Sequence, residues 1–390
     1  MDPTITALLY YVAIWAGIYL VGRILKAERF GFVLSPLYFM YKTTALNEWI
    51  GSLAERRRGL WRVLGNTGVA VGIGLMAFAV YQLGFNLYNL FFHVEVATSI
   101  QPVIPLPGLT ISWESFPYLV LAISLVLATH ELAHGVATRV DNVPLKSAGV
   151  FVAVILFGGF VEPDEEKLEK ASNQTKLRVY AAGSFTNAAL GMVVLLLFSN
   201  FAATIGPFYT TNHVGVEVAG LMPGYPAETA GMRTGDVITG VDGTPVHDTA
   251  DLQHAMSGVS PGADVVLNTS RGNLHVITTA DPKNSSHAIM GISPLQDVIT
   301  YTGRFALLPD NLPYYLLRAE FWISIVFVSV GIINMMPLYM FDGDRFLETL
   351  LKALGIGRTK EVRMFASSVS LAILGLNFLL SIMRFGFIKL

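Results

Sequence analysis

The sequence predicts a polytopic α-helical membrane protein with about six transmembrane helices, a re-entrant β segment and a small β-rich domain inserted between two helices. Two observations support this fold class. Of the 390 residues, 53% are hydrophobic and only 14% are charged, whereas about a quarter of the residues in an average soluble domain are charged. The apolar residues also occur in long runs that reach the ~20 residues needed to cross a bilayer core.

Six apolar runs are long enough to span a membrane, at residues 4–25, 65–92, 116–137, 178–206, 320–342 and 363–384. A seventh run, "SAGVFVAVILFGGFVE" at 147–162, is shorter, β-branched and interrupted by glycine. These features favour strands over a spanning helix, so we expect a re-entrant hairpin or a short sheet. The membrane part then comprises a first helix with an interfacial cytoplasmic segment (1–64), an N-terminal core (65–206) and a C-terminal core (316–390).

The basic residues predict the orientation of the chain. Lys and Arg are frequent in 26–64, 138–177 and 343–362, absent from 93–115 and sparse in 207–319. Because cytoplasmic loops carry an excess of positive charge, we expect a multi-pass cell-membrane protein whose two termini lie outside the cell. The lipid bilayer is thus the first partner, and the net charge of −2 argues against nucleic acid as a second one.

The region 207–300 differs from the membrane pattern. It contains short alternating runs such as "HVGVEV", "ADVVLNT" and "LHVITT", separated by Gly, Asp and Asn, which is typical of strands joined by turns. The piece "DTADLQHAMSG" begins with an N-capping Asp or Thr and predicts one helix. We therefore expect a β-rich extracytoplasmic domain at 210–295.

The chemistry is concentrated in "THELAHG" at 129–135. His130 and His134 are four residues apart, so both imidazoles project from one helix face and can reach one Zn²⁺ at ~2.0–2.1 Å. Glu131 is offset in angle and is better placed to act on a water molecule as a general base. Ionisable side chains are costly at membrane depth, which favours a functional site over a polar contact between packed helices.

A catalytic zinc needs a third protein ligand and an open position for water. The chain has no cysteine, so the third ligand must be a carboxylate or another histidine. Asp342, in "NMMPLYMFDGD" at the inner end of the run 320–342, lies at the predicted depth of His130, and Pro337 can break the helix before it. Asp344 is expected to be solvated or to cap the next helix.

Two asparagines lie within the predicted spans. Asn187 belongs to "AAGSFTNAALG", and Asn334 precedes Asp342 by eight residues. Each could bind a substrate backbone or stabilise an oxyanion, and each could equally form a hydrogen bond between packed helices. The spacing alone leaves both interpretations open.

Together these motifs resemble the site-2 protease family of intramembrane zinc metalloproteases (peptidase M50-like). The resemblance rests on HELAH at 130–134, GGFVE at 158–162, "AAGSFTNAALG" at 181–191 and Asn-x-x-Pro-x-x-x-x-Asp-Gly at 334–343. It implies one Zn²⁺ per chain on His130, His134 and Asp342. It also implies Glu131 as the base, substrate or transition-state roles for the two asparagines, and cleavage of single-span membrane proteins.

The resemblance further implies a strand that pairs with an unwound substrate, formed by Gly158, Gly159 and Phe160. The inserted domain resembles a PDZ domain through "GYPAETAGMRTGDVITGVDGTPV" at 224–246. A carboxylate-binding loop for a peptide tail would then include Met290, Gly291 and Ile292. A folded spacer that only limits access is the alternative for this domain.

Two other functions compete with proteolysis. A PDZ-bearing membrane adaptor or chaperone would bind peptide tails without a catalytic metal. A metal transporter would have no need of Glu131 beside the ligands or of a peptide-binding domain. The zinc content and the effect of Glu131→Gln on cleavage separate these functions.

Overall fold

The structure is a computed structural model that describes residues 3–35, 38–103, 105, 107–108, 110–153 and 156–387, with side chains described for all of these except 3–11, 153, 156 and 157. The chain folds into two compact units, Met1–Ser199 with Leu317–Leu390, and Asn200–Leu316. We call them the membrane unit and the β unit. The predicted domain 210–295 falls within the β unit.

The helices, in chain order, are α1 Pro3–Ile24, α2 Ala45–Arg56, α3 Arg58–Phe92, α4 Phe116–Val140, α5 Glu165–Lys170, α6 Asn173–Ser199, α7 Phe201–Ile205, α8 Pro226–Thr229, α9 Thr249–Met256, α10 Leu312–Ile333, α11 Asp342–Ala353 and α12 Thr359–Phe385. Short 3₁₀ turns occupy Ala27–Phe30 and Val94–Val96.

The strands are β1 Phe32–Ser35, β2 Tyr38–Thr43, β3 Leu145–Ala153, β4 Leu156–Pro163, β5 Tyr209–Val218, β6 Val237–Val241, β7 Thr244–Pro245, β8 Asp264–Thr269, β9 Gly272–Ile277, β10 Thr279–Asp281, β11 Asn284–Ile289 and β12 Leu295–Gly303.

Five helices in the described part of the chain are long and apolar enough to cross a membrane by length and composition, namely α3, α4, α6, α10 and α12. This supports the prediction of a multi-pass membrane protein. The described side chains of α1 form a shorter apolar stretch, Val12–Ile24, so the sixth span at 4–25 stays a prediction.

The helix in the apolar run 320–342 ends before Asp342, in agreement with the predicted break at Pro337. It ends earlier than that proline, at Ile333, and Asn334 is therefore the first residue beyond the helix. Pro337 has no backbone N–H to donate and disfavours helical backbone in the residue before it. Hydropathy cannot detect this end, because "MMPLYMF" is as apolar as the helix that precedes it.

The run 147–162 forms two antiparallel strands, β3 and β4, although residues 154 and 155 lie outside the described residues. They belong to a four-stranded sheet with the order β1-β2-β3-β4. The side of this sheet near α4 packs through Ala148 against Ile50 and Ala54 of α2 and against Val136 and Val140 of α4. This packing fixes β4 beside the helix that carries HELAH. Whether the hairpin enters the membrane from one side stays a prediction.

Asp344 is neither solvated nor a helix cap. Its side chain is 3% exposed, and both carboxylate oxygens accept hydrogen bonds from the Arg363 guanidinium, at 2.7 and 2.6 Å. Arg363 also donates to Glu348 at 2.6 Å, so it joins the first turns of α12 to α11. The sequence pattern missed this pair because its partners are 19 residues apart on different helices.

The β unit contains a sheet with the order β12-β5-β6-β8-β9, with β7 paired to β6. Its core consists of buried apolar side chains from the strands, from the loops between them, from α8 and from Leu252 of α9. Asp248 caps α9 through a 2.8 Å hydrogen bond from the Asp251 backbone N–H, as "DTADLQHAMSG" predicted. The unit is therefore β-rich, in agreement with the sequence pattern.

Candidate metal centre

The two histidines of HELAH lie near the C-terminal end of α4, which runs from Phe116 to Val140. Their side chains project from the same face, and His130 and His134 approach each other to 3.1 Å between their Nε2 atoms. Both side chains are nearly buried, with 7% and 12% exposed. The spacing of four residues therefore brings two imidazole nitrogens to one point, as predicted.

A chain segment that folds back after α10 brings Asp342 to the same point. The Gly343 backbone N–H donates to the Asn334 carbonyl at 2.9 Å and closes the segment 334–343 into a compact loop. A Cβ at position 343 would lie 2.2 Å from the Met335 carbonyl oxygen, so only glycine fits there. Met335, together with Phe346 of α11, packs on Leu177 and Ala181 of α6. This packing fixes the loop against the membrane unit.

The three ligand atoms form a nearly equilateral triangle. Asp342 Oδ2 lies 3.0 Å from His130 Nε2 and 3.1 Å from His134 Nε2, and all three atoms lie within 4.8 Å of one another. Ligand atoms at ~2.0–2.1 Å from a tetrahedral ion lie about 3.3–3.4 Å apart. Two imidazoles and one carboxylate are also a ligand set that zinc enzymes use, so the site fits Zn²⁺ with a small outward movement.

Outer contacts fix the orientation of one histidine directly. A carbonyl can only accept, so His134 Nδ1 must carry its proton and donate it to the Val179 carbonyl of α6, at 2.7 Å. In the neutral ring this leaves a lone pair on Nε2, the atom that faces the other ligands. The ring is thus held in the tautomer that a metal ligand requires.

The two predicted asparagines both contact His130, but at different atoms. Asn187 Nδ2 lies 2.9 Å from His130 Nδ1, and this asparagine is completely buried. Asn334 Nδ2 lies 3.0 Å from His130 Nε2 and donates to Asp342 Oδ2 at 2.9 Å. Asn334 therefore lies on the ligand side of the ring, and Asn187 lies behind it.

Glu131 faces the sheet. Its Oε2 accepts a hydrogen bond from the Val161 backbone N–H of β4 at 3.3 Å. That N–H therefore points away from β3, and β4 is the last strand of its sheet in the part of the chain that the structure describes. Backbone orientation alternates along a strand, so Gly159 also directs its peptide groups to this edge. Of the predicted pairing strand, Gly158, Gly159 and Phe160, it is Gly159 whose backbone faces outward.

In the β unit, the predicted loop forms one wall of an apolar groove. Met290, Gly291 and Ile292 line it opposite Leu252 and Met256 of α9. The Gly291 carbonyl accepts from the Met222 N–H at 2.8 Å, which holds the loop in place.

Sequence reasoning missed two contributions from α6, the Val179 carbonyl and Gly183. A Cβ at position 183 would lie 2.5 Å from the His130 ring, so glycine is needed for the ring to approach the helix. A carbonyl leaves no signal in the sequence. Gly183 does leave one, because it precedes Asn187 by four residues and thus shares its helix face.

Comparisons with known proteins agree with this geometry. The model of peptidase family M50 matches residues 118–376, more than half of the chain. A site-2 protease homologue of Arabidopsis thaliana is 25% identical over 218 residues, which cover 55% of this chain and 41% of the relative. A protein of Clostridium perfringens named "Putative zinc metalloprotease" is 26% identical over 189 residues, which cover 42% of this chain and 53% of the relative.

A solved PDZ domain of an SdrC-like protein from Listeria monocytogenes also matches, with 25% identity and a TM-score of 0.19, over 20% of this chain and 86% of that one. The chain spans about half the length of the curated relatives above. The family match covers α4, α6, α10 and the loop that carries Asp342, which are the elements that build the metal centre. The chain therefore belongs to peptidase family M50.

Proposed function

We propose that this protein is a zinc-dependent intramembrane endopeptidase that cleaves peptide bonds within or near the transmembrane segments of single-span membrane proteins. The observation that carries the proposal is the convergence of His130, His134 and Asp342, from two distant parts of the chain, on one triangle of ligand atoms. Membership of peptidase family M50 supports the reaction class.

The residues around the triangle can divide the work of peptide hydrolysis. A zinc ion held there would supply Lewis acidity and lower the pKa of a water molecule. Glu131 accepts a proton from the attacking water and passes it to the departing amine. Asn334 directs its amide hydrogens to the ligand side of the centre, where it can donate to the carbonyl oxygen as negative charge develops on it.

The substrate must be extended before it is cut, because a helix shields its own peptide bonds. The edge of β4 presents the peptide groups of Gly159, two residues from the N–H that contacts Glu131. An unwound substrate can add to such an edge as a further strand. The proposal thus places the substrate backbone along β4 and the bond to be cut beside Glu131.

We also propose, from the distribution of the basic residues, that the metal centre faces the cytoplasm and that the β unit lies outside the cell. Because the chain has no cysteine, single introduced cysteines can test this arrangement. A cysteine at the exposed Glu166 of α5 and one at the exposed Asn284 of β11 should react with an impermeant maleimide from opposite sides of the membrane. Labelling of both from one side would contradict it.

The central experiment compares Glu131→Gln with wild type on a single-span model substrate in detergent or proteoliposomes. Removing the base should slow cleavage by about 100- to 10,000-fold, while zinc content per chain stays that of wild type. Glu166→Gln, which changes an exposed glutamate, is the matched control and should cleave normally. Cleavage by Glu131→Gln at the wild-type rate would refute the mechanism. A wild-type protein that contains no zinc and does not cleave the substrate would favour the adaptor alternative.

For the β unit we propose that the groove beside Met290, Gly291 and Ile292 binds the carboxylate end of a peptide tail. Met256→Arg places a charge in the apolar groove and should weaken binding of a labelled peptide with an apolar C-terminal residue by at least about tenfold. His254→Arg, on an exposed position of the same helix, is the control. Equal binding of the same peptide with an amidated C-terminus would contradict carboxylate recognition, and absence of binding by either peptide would favour the spacer interpretation.

A further inference from the structure

Asn187 lies on a regular stripe of α6 that backs the two histidines of α4. Val179, Gly183 and Asn187 are spaced by four residues, as His130 and His134 are, so they share one helix face. The Val179 carbonyl accepts from His134 Nδ1 at 2.7 Å. Gly183 leaves room for the His130 ring, and Asn187 reaches His130 Nδ1 at 2.9 Å. The stripe thus provides one contact for the rear nitrogen of each ring.

The orientation of the Asn187 amide is the key detail. With Nδ2 toward the ring, His130 Nδ1 has to accept, and its proton then lies on Nε2, the atom that faces Asp342. In that orientation Asn187 Oδ1 is buried without a hydrogen-bond partner among the described residues. A metal ligand needs the opposite tautomer, with the proton on Nδ1 and a lone pair on Nε2.

Turning the Asn187 amide by 180° resolves both the wrong tautomer of His130 and the missing partner of Oδ1. The turn is possible because the oxygen and nitrogen ends of the amide have nearly the same shape. Oδ1 then accepts from His130 Nδ1 at the observed distance, and Nε2 is free to bind a metal. The turned Nδ2 needs an acceptor. The Ser184 hydroxyl, one turn earlier on α6, is also buried without a partner in the described part of the chain and has the required chemistry.

We propose that Asn187 is a positioning residue for His130 and not a donor to substrate. It lies behind the ring, whereas the Asn334 amide lies in front of it, at 3.0 Å from Nε2. Since Nδ1 and Nε2 lie on opposite sides of an imidazole, a group bonded to one is screened from ligands of the other. Only Asn334 is thus placed to touch the reacting atoms. The inference rests on the proposed zinc site and assigns it an outer contact.

The test measures zinc affinity, by competition with a chromophoric chelator on the purified full chain, and cleavage in parallel. Asn187→Ala removes the acceptor and should weaken zinc binding by about 10- to 100-fold, the usual effect of losing such an outer contact. Asn187→Asp keeps an acceptor but has no hydrogen to donate. It should bind zinc about as tightly as wild type and retain most of the cleavage activity.

A donor role gives the opposite result. Asn187→Ala would then bind zinc like wild type, and Asn187→Asp would bind zinc but lose cleavage; either finding overturns the inference. If thermal unfolding in chelator shows that Asn187→Ala does not fold, the cleavage activity of zinc-loaded Asn187→Asp alone distinguishes the positioning role from the donor role. A wild-type chain that binds no zinc would overturn the proposed function itself, which is a different outcome from unchanged affinity in the variants.

Discussion

The membrane unit contains two buried polar clusters that differ in how their hydrogen bonds are satisfied. The first, the α3–α12 cluster, joins Asn86 to Asn377. The Asn377 amide donates to the carbonyls of Leu83 and Ile373 at 2.9 and 2.8 Å and accepts from Asn86 at 2.9 Å. Asn86 also exchanges two hydrogen bonds with the backbone of Thr98. Both amides therefore use both hydrogens and their oxygen.

The metal centre has the opposite arrangement. Its three ligand atoms, from His130, His134 and Asp342, are all at 3.0–3.1 Å from one another. Two of these groups are imidazoles that carry one proton each when neutral, and the third is a carboxylate. Such a group of acceptors is unstable in a low-dielectric interior unless a cation or shared protons occupy it.

The comparison separates two uses of polar residues at membrane depth. A cluster whose donors and acceptors match is a structural contact between helices. A cluster in which lone pairs converge, and in which the rear nitrogens are held by α6, is a ligand set. This difference favours the proposed metal site over a polar bridge in HELAH, a choice that the motif alone leaves open.

The largest effect that would sharpen this comparison is expected from His134→Ala. Losing an outer contact already costs about 10- to 100-fold in metal affinity, so losing a ligand should weaken zinc binding by more than about 100-fold. Cleavage should disappear with the metal, while unfolding of the chelator-treated protein should change little. The measurements are elemental analysis, chelator competition and the cleavage assay. Retention of one zinc per chain would place the metal elsewhere.

A smaller and different effect is expected from Asn377→Leu. The substitution removes the three hydrogen bonds of the Asn377 amide and should lower the free energy of unfolding by about 1–3 kcal/mol. Zinc affinity should remain that of wild type. Leu376→Ala, at an exposed apolar position beside it, is the control for a substitution in α12. A loss of zinc in Asn377→Leu without a loss of stability would contradict the distinction between the clusters.

Much of the site could be predicted because its geometry depends on residues close together in the sequence or on the predicted depth of a residue in the membrane. The spacing of His130 and His134 fixes their common face on any helix. The orientation predicted from the basic residues puts Asp342 near the same membrane depth. The N-cap at Asp248 and the alternating strands of the β unit are also local patterns, and they hold in the structure.

The missed features depend on contacts between distant parts of the chain. Asp344 is buried because Arg363 of α12 neutralises it. The segment 27–59 mixes aromatic and basic residues, which predicts an interfacial stretch but no strands. Within it β2 forms by pairing with β3, more than 100 residues later. The two asparagines looked equivalent in the sequence, and only the position of the His130 ring distinguishes Asn187 from Asn334.

The loop 334–343 has a consequence for how this site tolerates change. The backbone hydrogen bond from Gly343 to Asn334 joins its two ends. The side chains at these ends are also bonded, because the Asn334 amide donates to Asp342 Oδ2. Between them, Tyr339 and Met340 project outward and are largely exposed. The side chain at Tyr339 can therefore vary, and Met340, whose φ of 77° disfavours β-branched residues, can vary less. In contrast, one residue inserted or deleted between Asn334 and Asp342 would shift the register of both. At the tip of this loop the number of residues matters more than the identity of Tyr339, whereas at Gly343 and at the buried Met335 identity matters as well.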